Sequence, residues 1–229
     1  MALKLYYDEL SQPSRALLII LKISKIPFET CPVKLREGEH LSEEYKNEVS
    51  RFQKVPVIKD GDFTLTESIA ILRYLSREKQ ISDQWYPKNS KAQARVDEYL
   101  EWQHNNVRLL CSLYLRVKWI EPRFFGKEAS PKKIAPYESR MANCLDLFEE
   151  LWLSKTPYIA GDQISAADIW AACEIEQPRL AGYDPEVGRP ILSKWLNKIR
   201  KIPYYEEVHS RFNKMVGLEA SGTQVKAKL

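Results

Sequence analysis

The sequence predicts an α/β domain followed by an all-helical domain. Residues 1–79 alternate short strand-like runs with helical segments, whereas residues 91–215 contain only helical apolar spacing. A length of 229 residues suits two small domains. We therefore expect domains at 1–79 and 91–229, joined by a linker over 80–90, with a mobile tail at the end of the second domain.

The first domain is predicted to begin with a strand, a helix and a second strand. Leu3 to Tyr7 forms the first strand, and Pro13 begins a helix that is apolar on nearly all sides from residue 16 to 23. Residues 28–35 form the second strand, parallel to the first because such a unit has a right-handed crossover. The polar segment 36–50 is expected to hold at most a short irregular helix.

A hairpin and a helix complete the first domain. The runs 55–59 and 62–65 flank Asp60-Gly61, which is a strong hairpin signal. Residues 67–77 follow as a helix with apolar positions on one face. The predicted architecture is one mixed four-stranded sheet with helices packed against it.

The second domain is predicted to contain five helices. Their ranges are 92–119, 136–153, 166–177, 190–201 and 204–215. Pro122 is expected to stop the first of them. The clearest local signal is Ser165 followed three residues later by Asp168, because this pair can form a reciprocal capping box at a helix start.

Composition and charge exclude several classes of protein. Apolar residues make up 44% and charged residues 29%, which is typical of a globular chain. The chain has neither an apolar run of about 18 residues nor a secretory signal pattern. The net charge of +4 comes from interspersed charges and does not indicate a nucleic-acid-binding face. We expect a cytoplasmic protein with neither nucleic acid nor membrane as a partner.

The cysteines are too far apart for a disulfide framework or a zinc site. They are Cys31, Cys111, Cys144 and Cys173. None belongs to a Cys-x-x-Cys motif or has a histidine at metal-ligand spacing. We expect four reduced, buried thiols of an intracellular protein, and neither a metal nor a cofactor.

The first domain matches the thioredoxin-like architecture. A strand, a turn containing Ser11 and Ser14, a helix and a later Val55-Pro56 before a strand occur in that order. In that fold the turn often carries two cysteines, and here their positions hold the two serines. The turn therefore cannot exchange a dithiol, but it can bind and activate the thiol of another molecule.

The whole chain resembles a cytosolic glutathione transferase of the theta class, of the insect type. The matching segments are 10–16, 55–56, 60–68, 94–104 and 161–168. Together they span nearly the whole chain. Ser50-Arg51 departs from the Asn-Pro of many members, which affects the local loop and not the site chemistry.

The resemblance implies that Ser11 donates a hydrogen bond to the glutathione sulfur. It also implies a cis Val55–Pro56 bond, with the Val55 backbone pairing with the cysteinyl part of glutathione. The residues alone admit simpler interpretations. A serine before a helix is usually a turn or cap residue, and a proline at a strand start is commonly an ordinary edge residue.

The resemblance assigns the two ends of glutathione to other residues. Glu67 and Ser68 hold the γ-glutamyl end at the start of a helix, and His40 and Lys54 flank the glycine carboxylate. Without the resemblance, Glu67 is an acid in the first helical turn that stabilises the helix dipole. His40 and Lys54 are then ordinary solvated residues.

The electrophile site is expected in the helical domain, where some theta-class members have an arginine at the position of Arg108. In that role Arg108 stabilises negative charge that develops on a leaving group. The alternative is that its stem lies on the surface with the charge in water.

The predicted function is conjugation of glutathione, as a co-substrate, to small electrophiles such as halides and epoxides. Reduction of organic hydroperoxides is a related option. The alternative is a non-catalytic binding or scaffold protein of the same fold. We expect a homodimer with helices 67–79 and 92–119 at the interface. The terminal Ala227-Lys228-Leu229 resembles a peroxisomal targeting tripeptide, which is the alternative to a cytoplasmic location.

Overall fold

A computed structural model describes residues 2–220 of the chain. The described residues form two compact units. The N-terminal unit contains residues 2–82 together with residues 203–212, and the helical unit contains residues 83–202 together with residues 213–220. The segment at 203–212 therefore belongs to the N-terminal unit although it lies near the end of the sequence.

The N-terminal unit is built on a mixed four-stranded sheet. The strands are β1 (Leu3–Tyr7), β2 (Phe28–Pro32), β3 (Val57–Asp60) and β4 (Phe63–Leu65). Their order is β2-β1-β3-β4. β1 pairs with β2 in parallel and with β3 antiparallel, and β4 is antiparallel to β3. This arrangement confirms the predicted strand–helix–strand unit followed by a hairpin.

Three helices accompany the sheet: α1 (Gln12–Ile23), α2 (Glu43–Glu48) and α3 (Ser68–Glu78). α1 has Pro13 in its first turn, and every residue from 13 to 21 is buried, as expected for a helix that is apolar on nearly all sides. α2 is a short α-helix of six residues, and the Ser42 hydroxyl caps it by accepting the Tyr45 N–H at 3.1 Å.

The helical unit contains α4 (Ser90–Trp102), α5 (Val107–Leu115), α6 (Glu121–Phe124), α7 (Pro131–Phe148), α8 (Ala166–Glu176) and α9 (Pro190–Ile199). Short 3₁₀ and π turns join several of these helices. A further helix, α10 (Tyr205–Ala220), begins in the N-terminal unit, and its residues from 213 onward belong to the helical unit.

The predicted single helix over 92–119 is wrong in two respects. It is interrupted by a 3₁₀ turn at Gln103–Asn105, after which Asn106 has φ −119° and ψ −102°. It also does not stop before Pro122. A π turn follows α5, and Pro122 lies in the first turn of α6, a position that proline favours.

The start of the next predicted helix is also wrong. α7 begins at Pro131, which has the favourable first-turn position, and Pro136 lies inside the helix. The later helices are close to their predictions. α8 ends at Glu176, α9 ends at Ile199, and α10 begins at Tyr205 and extends beyond the predicted end at 215.

α8 forms the centre of the helical unit, and every one of its residues is buried. The predicted capping box of Ser165 and Asp168 is present at its start. The Asp168 carboxylate accepts the N–H of Ser165 at 2.9 Å, the N–H of Ile159 at 3.0 Å and the indole N–H of Trp195 at 2.9 Å. One side chain thus ties α8 to the preceding loop and to α9.

All four cysteines are free thiols. Three are buried as predicted, but Cys31 is only half-buried, because β2 is an outer strand of the sheet. Among residues 2–220 no helix is both long and apolar enough to cross a membrane. The tripeptide Ala227-Lys228-Leu229 lies outside the described residues.

Candidate functional site

The sheet brings the ends of several strands to one edge of the N-terminal unit. β1 and β2 are parallel and end together, with Tyr7 opposite Pro32. β3 begins at this edge, because Val57 pairs with Tyr6 in antiparallel register. β4 ends there, because Leu65 pairs with Ile58.

The residues predicted to bind glutathione in this unit all lie on chain segments that leave or enter the sheet at that edge. Ser11 follows β1, His40 follows β2, Lys54 and Val55-Pro56 precede β3, and Glu67 and Ser68 follow β4. The topology therefore gathers four separate stretches of sequence around one part of the sheet.

Ser11 lies at the N-cap position of α1, with φ −84° and ψ 122°, and is 9% exposed. Its N–H donates to the Asp8 carbonyl at 2.9 Å, and its own carbonyl accepts the Arg15 N–H at 3.0 Å. Its hydroxyl does not cap the helix, and in the described part of the chain it has no hydrogen-bond partner. The hydroxyl is therefore available to an external acceptor at the N-terminus of a helix.

Ser14 differs from Ser11 in its surroundings. It lies within the first turn of α1 and is completely buried. Its hydroxyl has no partner among the described residues either. Its burial keeps it away from a ligand that binds at the surface, so Ser11 is the accessible hydroxyl of the pair.

Asp8 organises the turn that carries Ser11, and the sequence analysis did not identify it. Its buried carboxylate accepts the N–H of Leu10 at 2.8 Å and of Leu35 at 3.2 Å, and it pairs with Arg211 at 3.1 Å. These contacts connect the turn after β1 to the segment after β2. The signal in the sequence is an aspartate placed directly between a strand and a turn.

The Val55–Pro56 peptide bond is cis, which confirms the expectation drawn from the resemblance. Val55 is half-buried and Pro56 is buried. Neither the N–H nor the C=O of Val55 has a hydrogen-bond partner within residues 2–220. The preceding residue, Lys54, is exposed, and its carbonyl accepts the Tyr45 hydroxyl at 3.0 Å.

Glu67 immediately precedes α3 and has φ 63° and ψ 109°. The expectation that Glu67 lies in the first helical turn is wrong, because the helix begins at Ser68. A left-handed φ is unfavourable for a residue with a side chain, and such conformations often occur at functional sites. The Glu67 side chain is exposed and Ser68 is half-buried beside the helix N-terminus.

His40 lies in a 3₁₀ turn, Glu39–Leu41, and is half-buried. Burial lowers its pKa below the usual 6.5 and outweighs the nearby charges of Asp8 and Glu39, which act to raise it. Its Nδ1 atom is buried without a partner among the described residues. His40 can therefore accept a proton when an anion binds beside it.

Arg108 lies in the first turn of α5, in the helical unit. Its guanidinium contacts the carboxylate of Glu174 on α8. The Arg108 side chain is 35% exposed, whereas that of Glu174 is 1% exposed. The alternative in which the charge lies simply in water is therefore wrong, because it is paired with a buried carboxylate.

Comparison with known proteins identifies the family. The model of the glutathione S-transferase N-terminal domain matches residues 1–77, and that of the C-terminal domain matches residues 115–203. Human glutathione S-transferase theta-1 is 40% identical over the whole chain and 96% of that relative. The chain belongs to the glutathione S-transferase family.

Solved structures agree with this assignment. The apo form of human glutathione S-transferase T1-1 is 41% identical, with a TM-score of 0.88, over 94% of this chain and 91% of that one. A human theta-class glutathione transferase in complex with the glutathione conjugate of 1-menaphthyl sulfate is 36% identical, with a TM-score of 0.88, over 99% and 93% of the two chains.

These matches confirm the predicted theta-class resemblance and the thioredoxin-like fold of the N-terminal unit. These theta-class relatives are human proteins. That the chain is of the insect type stays a prediction. Within the glutathione S-transferase family, the N-terminal domain model covers every residue predicted to bind glutathione. Arg108 lies between the two matched stretches.

Proposed function

We propose that this protein is a glutathione transferase that activates the glutathione thiol through the Ser11 hydroxyl and conjugates it to small electrophiles. The observation that carries the proposal is the Ser11 hydroxyl itself. It lies at the N-cap of α1 but does not cap the helix, so it can donate to a bound sulfur. The names of the theta-class relatives support the same reaction.

The magnitudes are sufficient for this role. A free thiol has a pKa of about 8.5, so only a few per cent is thiolate at neutral pH. Lowering that pKa by about two units requires about 2.7 kcal/mol. A hydrogen bond to a charged group contributes about 1.5–3 kcal/mol, and the N-terminus of a helix adds about 0.3–1 kcal/mol. Ser11 keeps its proton and acts as a donor.

The remaining polar groups suit the other parts of glutathione. The unpaired N–H and C=O of Val55 can bond the cysteinyl backbone as a short added strand. The N-terminus of α3, with Ser68, suits the γ-glutamyl carboxylate, and Glu67 suits its ammonium. His40 and Lys54 can donate to the glycine carboxylate.

The conjugation step is a displacement at carbon. The thiol loses its proton to solvent, and the thiolate sulfur supplies the electron pair for a new S–C bond. The bond from that carbon to the leaving group breaks, and the halide departs with the electron pair. For an epoxide, the C–O bond opens and the alkoxide takes a proton from solvent. Arg108 stabilises the negative charge that develops on the departing group.

The same thiolate can reduce an organic hydroperoxide. Its sulfur attacks the terminal peroxide oxygen, the O–O bond breaks, and the alkoxide takes a proton to give an alcohol. The glutathione sulfenic acid formed then condenses with a second glutathione to give the disulfide and water. This reaction needs the Ser11-assisted thiolate but no anionic leaving group on carbon.

We also propose the assembly and location expected from the sequence, a homodimer in the cytoplasm. Light scattering of the purified chain measures its mass in solution and tests the dimer. A fluorescent fusion of the full chain, compared with one that lacks the last three residues, tests the peroxisomal alternative.

The test of the function uses glutathione binding and turnover together. The protein should increase the ultraviolet thiolate absorbance of added glutathione at neutral pH and turn over a small alkyl halide. Binding without a thiolate signal and without turnover would favour the non-catalytic scaffold alternative.

A further inference from the structure

A buried carboxylate is bonded to the turn that carries Ser11, and its counter-ion comes from a helix late in the sequence. The Asp8 side chain is 0% exposed. Its Oδ1 atom accepts the N–H of Leu10, the residue before Ser11, at 2.8 Å, and contacts the Arg211 guanidinium at 3.1 Å. Its Oδ2 atom accepts the N–H of Leu35 at 3.2 Å. The carboxylate therefore joins the turn after β1, the segment after β2 and α10.

The first part of α10 also contacts α1, the helix that begins just after Ser11. The Arg15 guanidinium lies 4.3 Å from the centre of the Phe212 ring, and both residues are completely buried. Nearer the end of α1, Lys22 pairs with Glu207 at 2.9 Å, and that pair is partly exposed. The packing of Phe212 thus helps to hold its neighbour in sequence, residue 211, beside the N-terminal unit without the help of the Asp8 ion pair.

The charge of Asp8 matters because glutathione binds as an anion in the proposed mechanism. Its carboxylates outnumber its ammonium, and the thiolate adds a further negative charge near Ser11. A buried carboxylate bonded to the same turn opposes that charge, since charges in the interior are weakly screened. The Asp8 charge already acts on His40, where it raises the pKa against the larger effect of burial. Neutralisation of Asp8 therefore favours the bound thiolate.

The titratable groups around Asp8 do not supply this neutralisation. Burial lowers the pKa of His40 below its usual 6.5, so the ring is largely neutral at pH 7. The pKa of Tyr7 is raised above 10, first by burial and next by the charge of Glu9, so its hydroxyl is uncharged. Glu9 and Glu39 are acidic, and both increase the negative charge around this turn.

Two guanidiniums lie near the turn, and they have different contacts. That of Arg15 donates to the Glu9 carbonyl at 2.8 Å and lies over the Phe212 ring. That of Arg211 pairs directly with the Asp8 carboxylate. Arg211 is therefore the cation whose described contact is with the buried charge itself.

We propose that Arg211 is a positioning residue: by pairing with Asp8, it holds the Ser11 turn and removes a buried negative charge from the place where the glutathione thiolate binds. This inference deepens the proposed transferase function and rests on it. Arg211 acts through Asp8 and not through contact with the ligand. Its side chain is 48% exposed, so water screens part of its charge and its effect is modest.

The experiment compares Arg211→Gln with a matched control, Lys22→Gln. Each variant removes one positive charge from an ion pair that involves α10, but Lys22 pairs with Glu207 and not with Asp8. The ultraviolet thiolate absorbance of saturating glutathione is measured across pH for both variants and the wild type. We expect Arg211→Gln to raise the pKa of the bound thiol by about half a unit to one unit. Lys22→Gln should titrate like the wild type.

Two further readouts distinguish a charge effect from a loss of structure. Turnover of an alkyl halide by Arg211→Gln should fall about three- to tenfold below the thiol pKa and recover as the pH rises, whereas a merely structural loss would lower it at every pH. Arg211→Lys keeps the charge and should restore most of the wild-type titration. In an Asp8→Asn background, Arg211→Gln should cause no further shift, because no carboxylate charge remains to be neutralised.

The outcomes separate this proposal from the proposed function. Should Arg211→Gln fail to fold, Arg211→Met, which retains an apolar stem, takes its place. An unshifted titration of the folded variant overturns the positioning role and leaves the transferase function intact. A shift of equal size in Lys22→Gln, or in Arg211→Lys, also overturns it. A wild type that gives no thiolate signal with glutathione overturns the proposed thiol activation and, with it, this inference.

Discussion

Replacing Asp168 with alanine should destabilise the helical unit strongly while sparing the chemistry. The Asp168 carboxylate is fully buried and accepts the N–H of Ile159 at 3.0 Å, the N–H of Ser165 at 2.9 Å and the indole N–H of Trp195 at 2.9 Å. Alanine would leave these three buried donors without an acceptor.

The expected magnitude follows from those three donors. Each unsatisfied buried donor costs about 1–3 kcal/mol. Burial raises the pKa of Asp168 despite its hydrogen bonds, and removing the charge relieves part of that burial cost. The three donors sum to about 3–9 kcal/mol, and we therefore expect a loss in the lower part of that range, about 3–5 kcal/mol. For a domain of this size, about 2–4 °C per kcal/mol gives a fall in Tm of about 6–20 °C.

The assay is thermal unfolding followed by circular dichroism, together with hydrogen exchange of the amides in α8. Asp162→Ala is the control, because Asp162 is exposed in the same loop and should change stability by less than about 0.5 kcal/mol. Activity per folded molecule of Asp168→Ala should remain close to that of the wild type. A variant of normal stability that is inactive would refute this reasoning and indicate a direct catalytic role.

Three further predictions concern glutathione binding. Glu67→Ala should raise the half-saturating glutathione concentration about tenfold. Asp62→Ala, in the exposed hairpin, is the control and should not change it. Equal calorimetric affinities of the wild type and Glu67→Ala for glutathione would contradict the γ-glutamyl assignment. Burial holds the pKa of His40 below 6.5 in the free protein, and a bound carboxylate would raise it, so His40 should take up a proton on binding and its contribution should weaken as pH rises between the two pKa values. The bound thiol releases a proton in the wild type and in His40→Gln alike, so net proton uptake should be greater in the wild type than in the variant, by up to one proton. Calorimetry in two buffers of different ionisation enthalpy measures both proton numbers, and equal numbers contradict the assignment. Tyr45→Phe removes the hydroxyl that donates to the Lys54 carbonyl. It should weaken glutathione binding about fivefold and leave kcat unchanged. A loss confined to kcat would argue against the role of Tyr45 in positioning the segment that contains Lys54.

The fold of the N-terminal unit could be predicted because its signals are local. The Asp60-Gly61 turn fixes the hairpin, and Pro13 marks the first turn of α1. In the helical unit, the capping box of Ser165 and Asp168 specifies the start of α8 by itself. Each of these signals acts within a few residues, so no knowledge of distant contacts is needed.

The helix interruptions could not be predicted, because they depend on packing that periodicity does not record. The apolar spacing continues past Asn106, but the backbone leaves the helix there, and the Asn106 amide donates to the Trp102 carbonyl at 2.7 Å. The chain likewise continues as a helix through Pro122, since a π turn ends just before it and makes it a first-turn residue.

The sequence identifies the candidate residues that could contact a ligand, but it does not identify the buried residues that hold them in place. Ser11, Val55 and Glu67 lie next to local signals, namely a helix start, an X-Pro bond and a hairpin. Asp8 and Glu174 were missed because each acts through partners distant in sequence, Leu35 and Arg211 for the first and Arg108 for the second. Such partners become neighbours only after folding.

The central claim is that the Ser11 hydroxyl stabilises the thiolate of bound glutathione, and a pH titration of that thiolate tests it most directly. The ultraviolet thiolate absorbance of saturating glutathione is measured across pH for the wild type, Ser11→Ala and Ser14→Ala. Loss of about 1.5–3 kcal/mol should raise the pKa of the bound thiol by about one to two units in Ser11→Ala. Ser14→Ala should match the wild type, because Ser14 is completely buried. An unchanged titration for Ser11→Ala, or a displaced one for Ser14→Ala alone, would contradict the account.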